Sequence, residues 1–551
     1  MTRAAAVALA AAAVVAAPRA RAQDPAPLVM DGLVPEGGSR FFDLTFEVPA
    51  GTKEIEVRHS DRSSTNVLDW GLFDPERFRG WGGGNEEPAV VGEQAASRSY
   101  LAGPLPPGTW RVMVGKAKVS ERPARYHVEI VLRNSPALAP QTRRPYVPAT
   151  PLERGARWYA GDFHVHSRES GDARPSLDEI ADYARGTAGL DFAVITDHNT
   201  VSHLDFVTDA QARHPDFLFV PGLEVTTYWG HANAYGMMQW VDFRLDSSVP
   251  SIQAAADQVH AAGALFAINH PVQELGDLCI GCAWHLPFPA RVDGLEVANA
   301  GYRQLGALFN DPSIVFWESL TSKGMKVAAV GGSDDHRGGV EGTPYQSPIG
   351  QPTTLVWAAE LSAAAIVDGV ARGHTVVKAQ GLHDPMVELK AQSGGGAGFL
   401  GGDTVISTGT VALEATVTGG LGAKVRFVHD GVPLPEVAVD SDPFVASLEV
   451  TPPAQCEDRF RAEVLVDGRP RTVTSYLWVA KTAGTGCANN PAPPPSSALT
   501  ASGCACGAAS AGAGTAVLVV AAAVLAALVR AGRRRARPAS AAGTTGRSGR
   551  G

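Results

Sequence analysis

Histidine is concentrated in one part of this 551-residue chain. Ten of its fifteen histidines lie in residues 158–337. Three short segments there, 161–167, 194–200 and 330–336, each contain an apolar run followed by His or Asp. Imidazole and carboxylate groups together suit Zn, Fe or Mn. The sequence therefore predicts a site that holds several metal ions and hydrolyses its substrate.

The spacing of these residues fits strands that present them on one side. His164 and His166 are two residues apart, as are Asp334 and His336, and side chains at this spacing share one face of a strand. Polar groups at the ends of successive buried strands are how an α/β barrel presents a site on one face. Glu224 follows another apolar strand pattern, and its carboxylate could bridge two ions where a neutral imidazole could not.

The surrounding sequence alternates between strand and helix patterns. Ser176, preceded by Pro175 and followed three residues on by Glu179, has the pattern of a capped helix start. Strand patterns at 191–196, 217–225 and 265–269 are interleaved with helical patterns that include 252–262 and 313–323. Repeated βα units of this kind predict a parallel, barrel-like sheet.

At 150–385 the chain resembles the PHP (polymerase and histidinol phosphatase) superfamily of metal-dependent phosphoesterases. Five separate signatures occur in the family's order, and within the superfamily the chain looks like the CehA/McbA branch. The resemblance extends to the N-terminal region, where Gly80-Trp81 and the 103–110 run look like that branch's leader domain. It implies an α/β fold with a distorted (β/α)7 barrel and two or three divalent ions, Zn, Mn or Fe.

The resemblance also assigns nine ligands to three metal positions. They are His164, His166 and Asp334 for the first ion, Glu224 as a bridge between the first and second, His231 and His270 for the second, and Asp172, His198 and His336 for the third. Glu169 competes with Asp172 at the third position.

Three further residues are candidates for catalysis. His203 follows the turn at 196–199 and could contact substrate or donate a proton. Arg168 and Arg337 stand beside ligands, and either guanidinium could clamp a phosphate or carboxylate. A surface salt bridge is an equally good interpretation of both arginines.

Other polar residues near the ligands have simpler interpretations. Asp197 and Asn199 flank His198 and are expected to orient ring nitrogens, whereas Asp335 is expected to be solvated. Cys279 and Cys282 form a single CxxC pair. Because a zinc ribbon needs two such pairs, a local disulfide on a loop near the site is favoured in an exported protein.

The flanking regions predict further domains and an exported protein. Residues 1–22 have the charged start, apolar run and small-residue cleavage site of a signal peptide. Residues 28–134 and 386–482 show short strands separated by Gly and Pro clusters, which predicts two β-sandwiches. No ligand cluster occurs in the first sandwich, so a structural or docking role is expected there. A disulfide between Cys456 and Cys487 is plausible in the second.

The C-terminal end has the pattern of a membrane anchor. A Pro/Ala/Gly-rich linker at 483–512 leads to an apolar transmembrane segment at 513–529 and a basic cytoplasmic tail at 530–551. With Cys504 ahead of the apolar run, the arrangement resembles the myxobacterial C-terminal sorting signal. The expected location is the cell envelope or cell surface, with the chain either anchored or cut near Cys504.

These features predict an exported metal-dependent hydrolase of a small-molecule ester. The resemblance favours a phosphoester first, and a carbamate or carboxyl ester second. No G-x-S-x-G motif is present, and a metal-activated water needs no Ser or Cys nucleophile. A net charge of -9 argues against general nucleic-acid binding. The alternative is a cell-surface binding protein whose barrel is inactive and whose sandwiches bind.

Overall fold

The computed structural model describes residues 25–340, 347–393 and 398–482. The predicted signal peptide, linker, transmembrane segment, basic tail and Cys487 lie outside these ranges. Among the helices in the described ranges, none combines the length and apolar character that a membrane span requires. The fold is mixed α/β and consists mostly of strands.

Eight strands form two four-stranded antiparallel sheets at the N-terminal end, in the orders β1-β8-β3-β6 and β2-β7-β4-β5. Alternating side chains such as Val128, Ile130 and Leu132 of β8 are buried in the core that the two sheets share. The strands are Leu28–Leu33 (β1), Phe41–Val48 (β2), Glu54–Ser60 (β3), Val67–Phe73 (β4), Phe78–Gly83 (β5), Ala89–Gly92 (β6), Gly108–Lys118 (β7) and Arg125–Arg133 (β8).

The central region alternates strands and helices. Its strands are Arg154–Val165 (β9), Phe192–Ile195 (β10), Leu218–Thr227 (β11), Gly230–Tyr235 (β12), Leu265–Ile268 (β13), Gly294–Ala298 (β14), Ala328–Gly331 (β15), Thr353–Glu360 (β16) and Thr375–Lys378 (β17). Its helices are Leu177–Gly186 (α1), Leu204–Arg213 (α2), Val249–Ala261 (α3), Gly306–Thr321 (α4) and Ala363–Ala371 (α5). The predicted capping box of α1 is confirmed, because Ser176 and Glu179 exchange both hydrogen bonds.

The central strands run in the order β15-β14-β13-β12-β11-β10-β9-β16-β17 within one larger sheet. The pairs β9/β10, β10/β11, β13/β14 and β14/β15 are parallel, as predicted, but β12 is antiparallel to both of its neighbours. The expectation of repeated βα units is wrong there. Only Tyr228 and Trp229 separate β11 from β12, and a parallel crossover needs a dozen or more residues.

Within the described residues, the paired strands form an open sheet and not the closed (β/α)7 barrel that the resemblance implies. An isolated parallel bridge between Val165 and Asp335 nevertheless places the chain after β15 beside the end of β9. Side chains from these strands, including Phe163, Val194 and Val330, share one apolar cluster. The chain after the edge strand β15 therefore lies beside β9 where the predicted ligands lie.

The N-terminal sheets pack against the central region through aromatic side chains. Phe73, Phe78 and Trp81 belong to the same apolar cluster as residues of the central sheet and helices. The ring centroids of Trp81 and Phe243 are 4.8 Å apart, and those of Phe78 and Trp240 are 4.6 Å apart. This contact holds the sandwich beside the ends of the central strands.

Eleven strands form the C-terminal region. One sheet has the order β19-β18-β21-β25, and the other continues the central sheet, because β27 pairs with β17. The strands are Met386–Gln392 (β18), Gly398–Leu400 (β19), Thr404–Ile406 (β20), Val411–Thr418 (β21), Lys424–His429 (β22), Val432–Pro433 (β23), Val437–Ala438 (β24), Phe444–Val450 (β25), Glu457–Val466 (β26), Arg469–Thr474 (β27) and Leu477–Ala480 (β28).

Buried charges join α4 to the C-terminal strands. Glu318 accepts hydrogen bonds from Arg459, Arg461 and the hydroxyl of Tyr476, and Arg461 also donates to Glu463 at 2.7 Å. All five side chains are buried. Burial opposes the charge on Arg461, but Glu318, Tyr476 and Glu463 hold its pKa above its ordinary value. Each charge in this network therefore depends on its partners.

Glu318→Gln tests that dependence. The change keeps the volume but leaves two buried guanidinium groups with less negative charge, and breaking a buried ion pair costs about 3–5 kcal/mol. We expect the free energy of unfolding, measured by urea denaturation, to fall by about that amount. Asp368→Asn, which removes an exposed pair with Arg372, is the control and should change it little. Equal losses in the two variants would contradict the prediction.

Candidate metal centre

The strand ends bring the nine predicted ligands to one place. His164 is the next-to-last residue of β9, His166 lies just beyond the strand, and His198 follows β10. Glu224 lies within β11, and its carboxylate is buried among the histidine rings. The remaining ligands occupy or follow neighbouring strands, and they are His231 in β12, His270 after β13, Asp334 and His336 after β15, and Asp172 after β9.

Three features of the backbone make this convergence possible. His270 and Asp334 have positive φ angles of 23° and 57°, a sparsely populated conformation that concentrates at functional sites. Gly332 lies so close to β9 that a Cβ atom added to it would be 2.3 Å from the Cβ of His164. Any larger residue at 332 would therefore separate Asp334 from the ligands on β9.

The first group of ligand atoms surrounds the end of β9. Asp334 Oδ1 lies 3.3 Å from His164 Nε2 and 3.1 Å from His166 Nε2. Glu224 approaches the same two nitrogens at 3.5 Å with Oε1 and 3.6 Å with Oε2. Ligands of a tetrahedral zinc ion with bonds of about 2.0–2.1 Å are about 3.3–3.4 Å from one another. The first group therefore has the spacing of a metal site.

Glu224 also faces the second group. Its Oε1 lies 3.2 Å from His231 Nδ1 and 3.5 Å from His270 Nε2. His270 Nδ1 donates to the carbonyl of Cys282 at 3.0 Å, so its Nε2 is the nitrogen left to bind an ion. The bridging position predicted for Glu224 is thus available to it.

The third group is the most regular of the three. Asp172 Oδ2 lies 3.4 Å from His198 Nε2 and 3.4 Å from His336 Nε2, and the two nitrogens are 3.4 Å from each other. Glu169, the competing candidate, points away. Its carboxylate accepts hydrogen bonds from the Ser99 backbone and the Ser202 hydroxyl.

Hydrogen-bond partners behind the rings fix their orientation. His164 Nδ1 lies 2.8 Å from Glu296 Oε1, and His166 Nδ1 lies 3.0 Å from Ser170 Oγ. His336 Nδ1 donates to the Asp334 carbonyl at 2.9 Å. Partners of this kind set the tautomer and the direction of a metal-binding ring. Glu296 and Ser170 were not identified from the sequence.

The polar neighbours of the ligands hold the loops in place. Asp197 accepts hydrogen bonds from the backbone and hydroxyl of Ser167, and Asn199 pairs with the backbone of Thr226. The expectation that Asp335 is solvated is wrong. Its buried carboxylate accepts backbone hydrogen bonds from residues 337–339, and burial raises its pKa.

The electrostatics and the unpaired atoms fit bound cations. Burial opposes the ionisation of Glu224, but His198, His164 and His231 hold its pKa well below the usual range. Within the described residues, three buried atoms of this group have no hydrogen-bond partner: His164 Nε2, Glu224 Oε2 and His231 Nε2. Buried polar atoms are costly without a partner, and a divalent ion in the first group would satisfy His164 Nε2 and Glu224 Oε2. The residues present therefore fit the implied metals.

The ligands open into a cavity of about 760 Å³. One wall comes from the N-terminal sandwich and includes Asp69, Trp81 and residues 82–85, so this domain has more than the docking role expected for it. Burial raises the pKa of Asp69 to about 6, against the hydrogen bond that the Tyr228 hydroxyl donates to it at 2.7 Å. The sequence signals for this wall are the Gly80-Trp81 pair and Asp69, a carboxylate between apolar residues of β4.

Of the three predicted catalytic residues, only Arg337 lines the cavity. Arg337 lines it, together with Arg174, which was not identified from the sequence. Arg168 is exposed and outside the lining. His203 is fully buried, also outside the lining, with Nδ1 3.1 Å from Asp197 Oδ2, because it directly precedes α2 and faces the interior.

The loop after β13 forms another part of the wall. The local disulfide predicted between Cys279 and Cys282 is confirmed. Cys279, Ile280 and Cys282 line the cavity, and the Cys282 carbonyl orients His270. Cys456 is disulfide-bonded, while its predicted partner lies outside the described residues.

Comparison with known proteins gives low-level structural similarity only. No family model and no curated protein matches the chain. A two-domain protein from Bacteroides vulgatus that contains a predicted PHP-like metal-dependent phosphoesterase is 17% identical, with 62% of this chain and 100% of that chain covered and a TM-score of 0.33. A proposed metal-dependent phosphoesterase from Bifidobacterium adolescentis is 15% identical, with 34% and 91% covered and a TM-score of 0.24. At these values, the function of this chain rests on its own site.

Proposed function

We propose that this protein is a metal-dependent hydrolase of the PHP type, related to the CehA/McbA branch, with a small-molecule phosphoester as its substrate. The observation that carries the proposal is the convergence of three groups of ligand atoms, two of which share the Glu224 carboxylate. Mixed imidazole and carboxylate ligands at this spacing suit two or three Zn, Mn or Fe ions.

The residues have distinct parts in the proposed reaction. Divalent ions held by these residues would supply an activated water at neutral pH and would polarise the scissile ester. The Glu224 carboxylate faces both the first and the second group, and its charge would offset the repulsion between cations held there. Glu296, Ser170 and the Cys282 carbonyl keep His164, His166 and His270 in the tautomer and direction that binding requires.

Two arginines favour a phosphoester over a neutral ester. Arg174 and Arg337 both line the cavity beside Asp172 and His336. Within the described ranges, neither guanidinium takes part in a hydrogen bond or ion pair, so both are available to an anionic substrate. Arginine matches the geometry of a phosphate better than that of an uncharged group. A carbamate or carboxyl ester is therefore the second choice.

Export to the cell envelope is part of the proposal. It is supported by the pattern of residues 1–22, by the apolar run at 513–529 and by the Cys279–Cys282 disulfide, since disulfides persist in oxidising compartments.

Removing two ligands from one strand tests the reaction. His164→Ala with His166→Ala should reduce turnover of aryl phosphates to the background rate and lower the bound metal. The apolar cluster around Phe163 and Val194 should keep the protein folded. The measurement is a panel of phosphoesters, carboxyl esters and carbamates assayed with each metal, together with elemental analysis. A folded double variant with wild-type turnover would show that the site lies elsewhere, and a metal-free wild type would favour the binding-protein alternative.

Glu224→Gln tests the shared carboxylate. The amide keeps the volume but loses the charge that two neighbouring ions require. We expect the protein to lose at least one ion and turnover to fall by about 100-fold or more, the scale of losing one strong electrostatic group at an active site. Elemental analysis and steady-state kinetics measure both effects. Unchanged stoichiometry and turnover would mean that Glu224 is structural.

The arginine pair can be tested by substrate charge. Arg174→Ala and Arg337→Ala each remove a charged donor, which contributes about 1.5–3 kcal/mol to binding a charged group. We therefore expect kcat/KM for phosphoesters to fall by about 10–100-fold, with a smaller change for carboxyl esters. Arg168→Ala, which removes an exposed arginine outside the cavity, is the matched control. Equal losses on charged and neutral substrates would contradict the role in anion recognition.

A further inference from the structure

One short turn, residues 168–173, carries two groups that belong to the metal centre. We call it the ligand turn. It begins with the 3-10 helix Arg168–Ser170 and passes through Gly171 to Asp172. Asp172 completes the third group of ligand atoms. Ser170 Oγ lies 3.0 Å from His166 Nδ1 and accepts a hydrogen bond from the backbone of His198. The third group therefore depends on where this turn lies.

The N-terminal sandwich contacts the ligand turn on both sides of Asp172. Ser99 Oγ donates to the carbonyl of Glu169 at 2.8 Å, and Ser99 N donates to the Glu169 carboxylate at 3.2 Å. On the other side, Arg98 Nη1 donates to the carbonyl of Ala173 at 2.9 Å. The two contacts come from consecutive residues and span the turn.

The contact between the ligand turn and the loop that joins β6 to β7 is tight, and it is fully buried at Ser99. Ser99 is completely buried and has a positive φ of 70°, an uncommon conformation for serine. Its carbonyl accepts a hydrogen bond from the Thr200 hydroxyl at 3.1 Å, on the loop that carries His198. A Cβ atom added to Gly171 would lie 3.1 Å from the carbonyl oxygen of Gly82, so little space separates the two backbones.

Glu87 fixes the orientation of the Arg98 guanidinium. Its two carboxylate oxygens accept hydrogen bonds from Arg98 Nε and Nη2 at 2.7 and 2.9 Å. This bidentate pair leaves Nη1 directed at Ala173, and such pairs hold a guanidinium in one orientation. The sandwich therefore presents two oriented donors to the ligand turn, and both come from outside the region that contains the ligands.

We propose that Ser99 and Arg98 are positioning residues for the third metal ion, so that the N-terminal sandwich is a structural part of the metal centre. The inference rests on the proposed function, because it requires that the third group binds an ion. In the described structure, the hydrogen bonds that residues 98 and 99 donate to the ligand turn go to Glu169 and Ala173 and not to a ligand. They act by holding the ligand turn, and through it Asp172 and Ser170, against His198 and His336.

The test compares metal binding in four full-length proteins. Arg98→Ala with Ser99→Gly removes the two side-chain contacts, from Arg98 Nη1 to Ala173 and from Ser99 Oγ to Glu169, and leaves the backbone hydrogen bond of residue 99. Glycine keeps the positive φ that position 99 needs. His198→Ala marks the loss of the third ion without a change in the sandwich. Arg58→Ala is the control, since Arg58 pairs only with Glu56 and Glu129 of the sandwich in the described structure. Titration with Mn²⁺ or Zn²⁺ and elemental analysis give the stoichiometry and the affinities.

We expect the double variant to keep two ions and to bind the third about 10–100-fold more weakly, the usual effect of losing a group that supports a ligand. His198→Ala should lose the same ion, and Arg58→Ala should match the wild type. If the double variant does not fold, the same metal titration of the single variant Ser99→Gly tests the inference. A folded variant that binds three ions with wild-type affinity, or that loses all ions equally, overturns the inference.

The outcomes separate this inference from the function on which it rests. A wild-type protein that binds no metal overturns both. A wild-type protein that binds three ions beside an unaffected double variant overturns only the role of Ser99 and Arg98. A wild-type protein that binds only two ions removes the third site and, with it, the positioning role.

Discussion

The centre of this structure is a single buried carboxylate. Glu224 has no exposed surface, and its two oxygens lie within 3.6 Å of ring nitrogens from His164, His166, His198, His231 and His270. A buried charge is stable only when it is paired. The rings come from four different stretches of chain, so the strands that carry them must end around this one side chain.

The registers of the paired strands bring the ligands together around Glu224. In the antiparallel pair of β11 and β12, Thr226 is opposite His231, and this register places His231 beside Glu224. The bridge between Val165 and Asp335 brings the segment after β15 to β9. A shift of one residue in either pairing would turn the ligands to the opposite face. The apolar core that fixes these registers thus also fixes the metal geometry.

Much of the site could be predicted because its signals are local. The two-residue spacing of His164 and His166 and the capping box at Ser176 are properties of short segments, and both hold in the structure. What was missed depends on contacts between distant residues. Glu296 is 132 residues from His164, and no pattern around it indicates that partnership. Proximity along the chain also suggested a substrate contact for His203, which is near the 196–199 turn in sequence. Its side chain faces the interior instead.

The continuous pairing of β17 with β27 has a consequence for how the chain divides. Val376 and Val377 are buried and lie opposite Thr474 and Val473, so the sheet crosses the boundary predicted at 385. Cutting the chain there would leave β17 as an uncovered apolar edge, and such edges recruit other strands. The smallest independent unit that contains the ligands therefore extends through β28. The C-terminal strands serve as the protective edge of the sheet that carries the site.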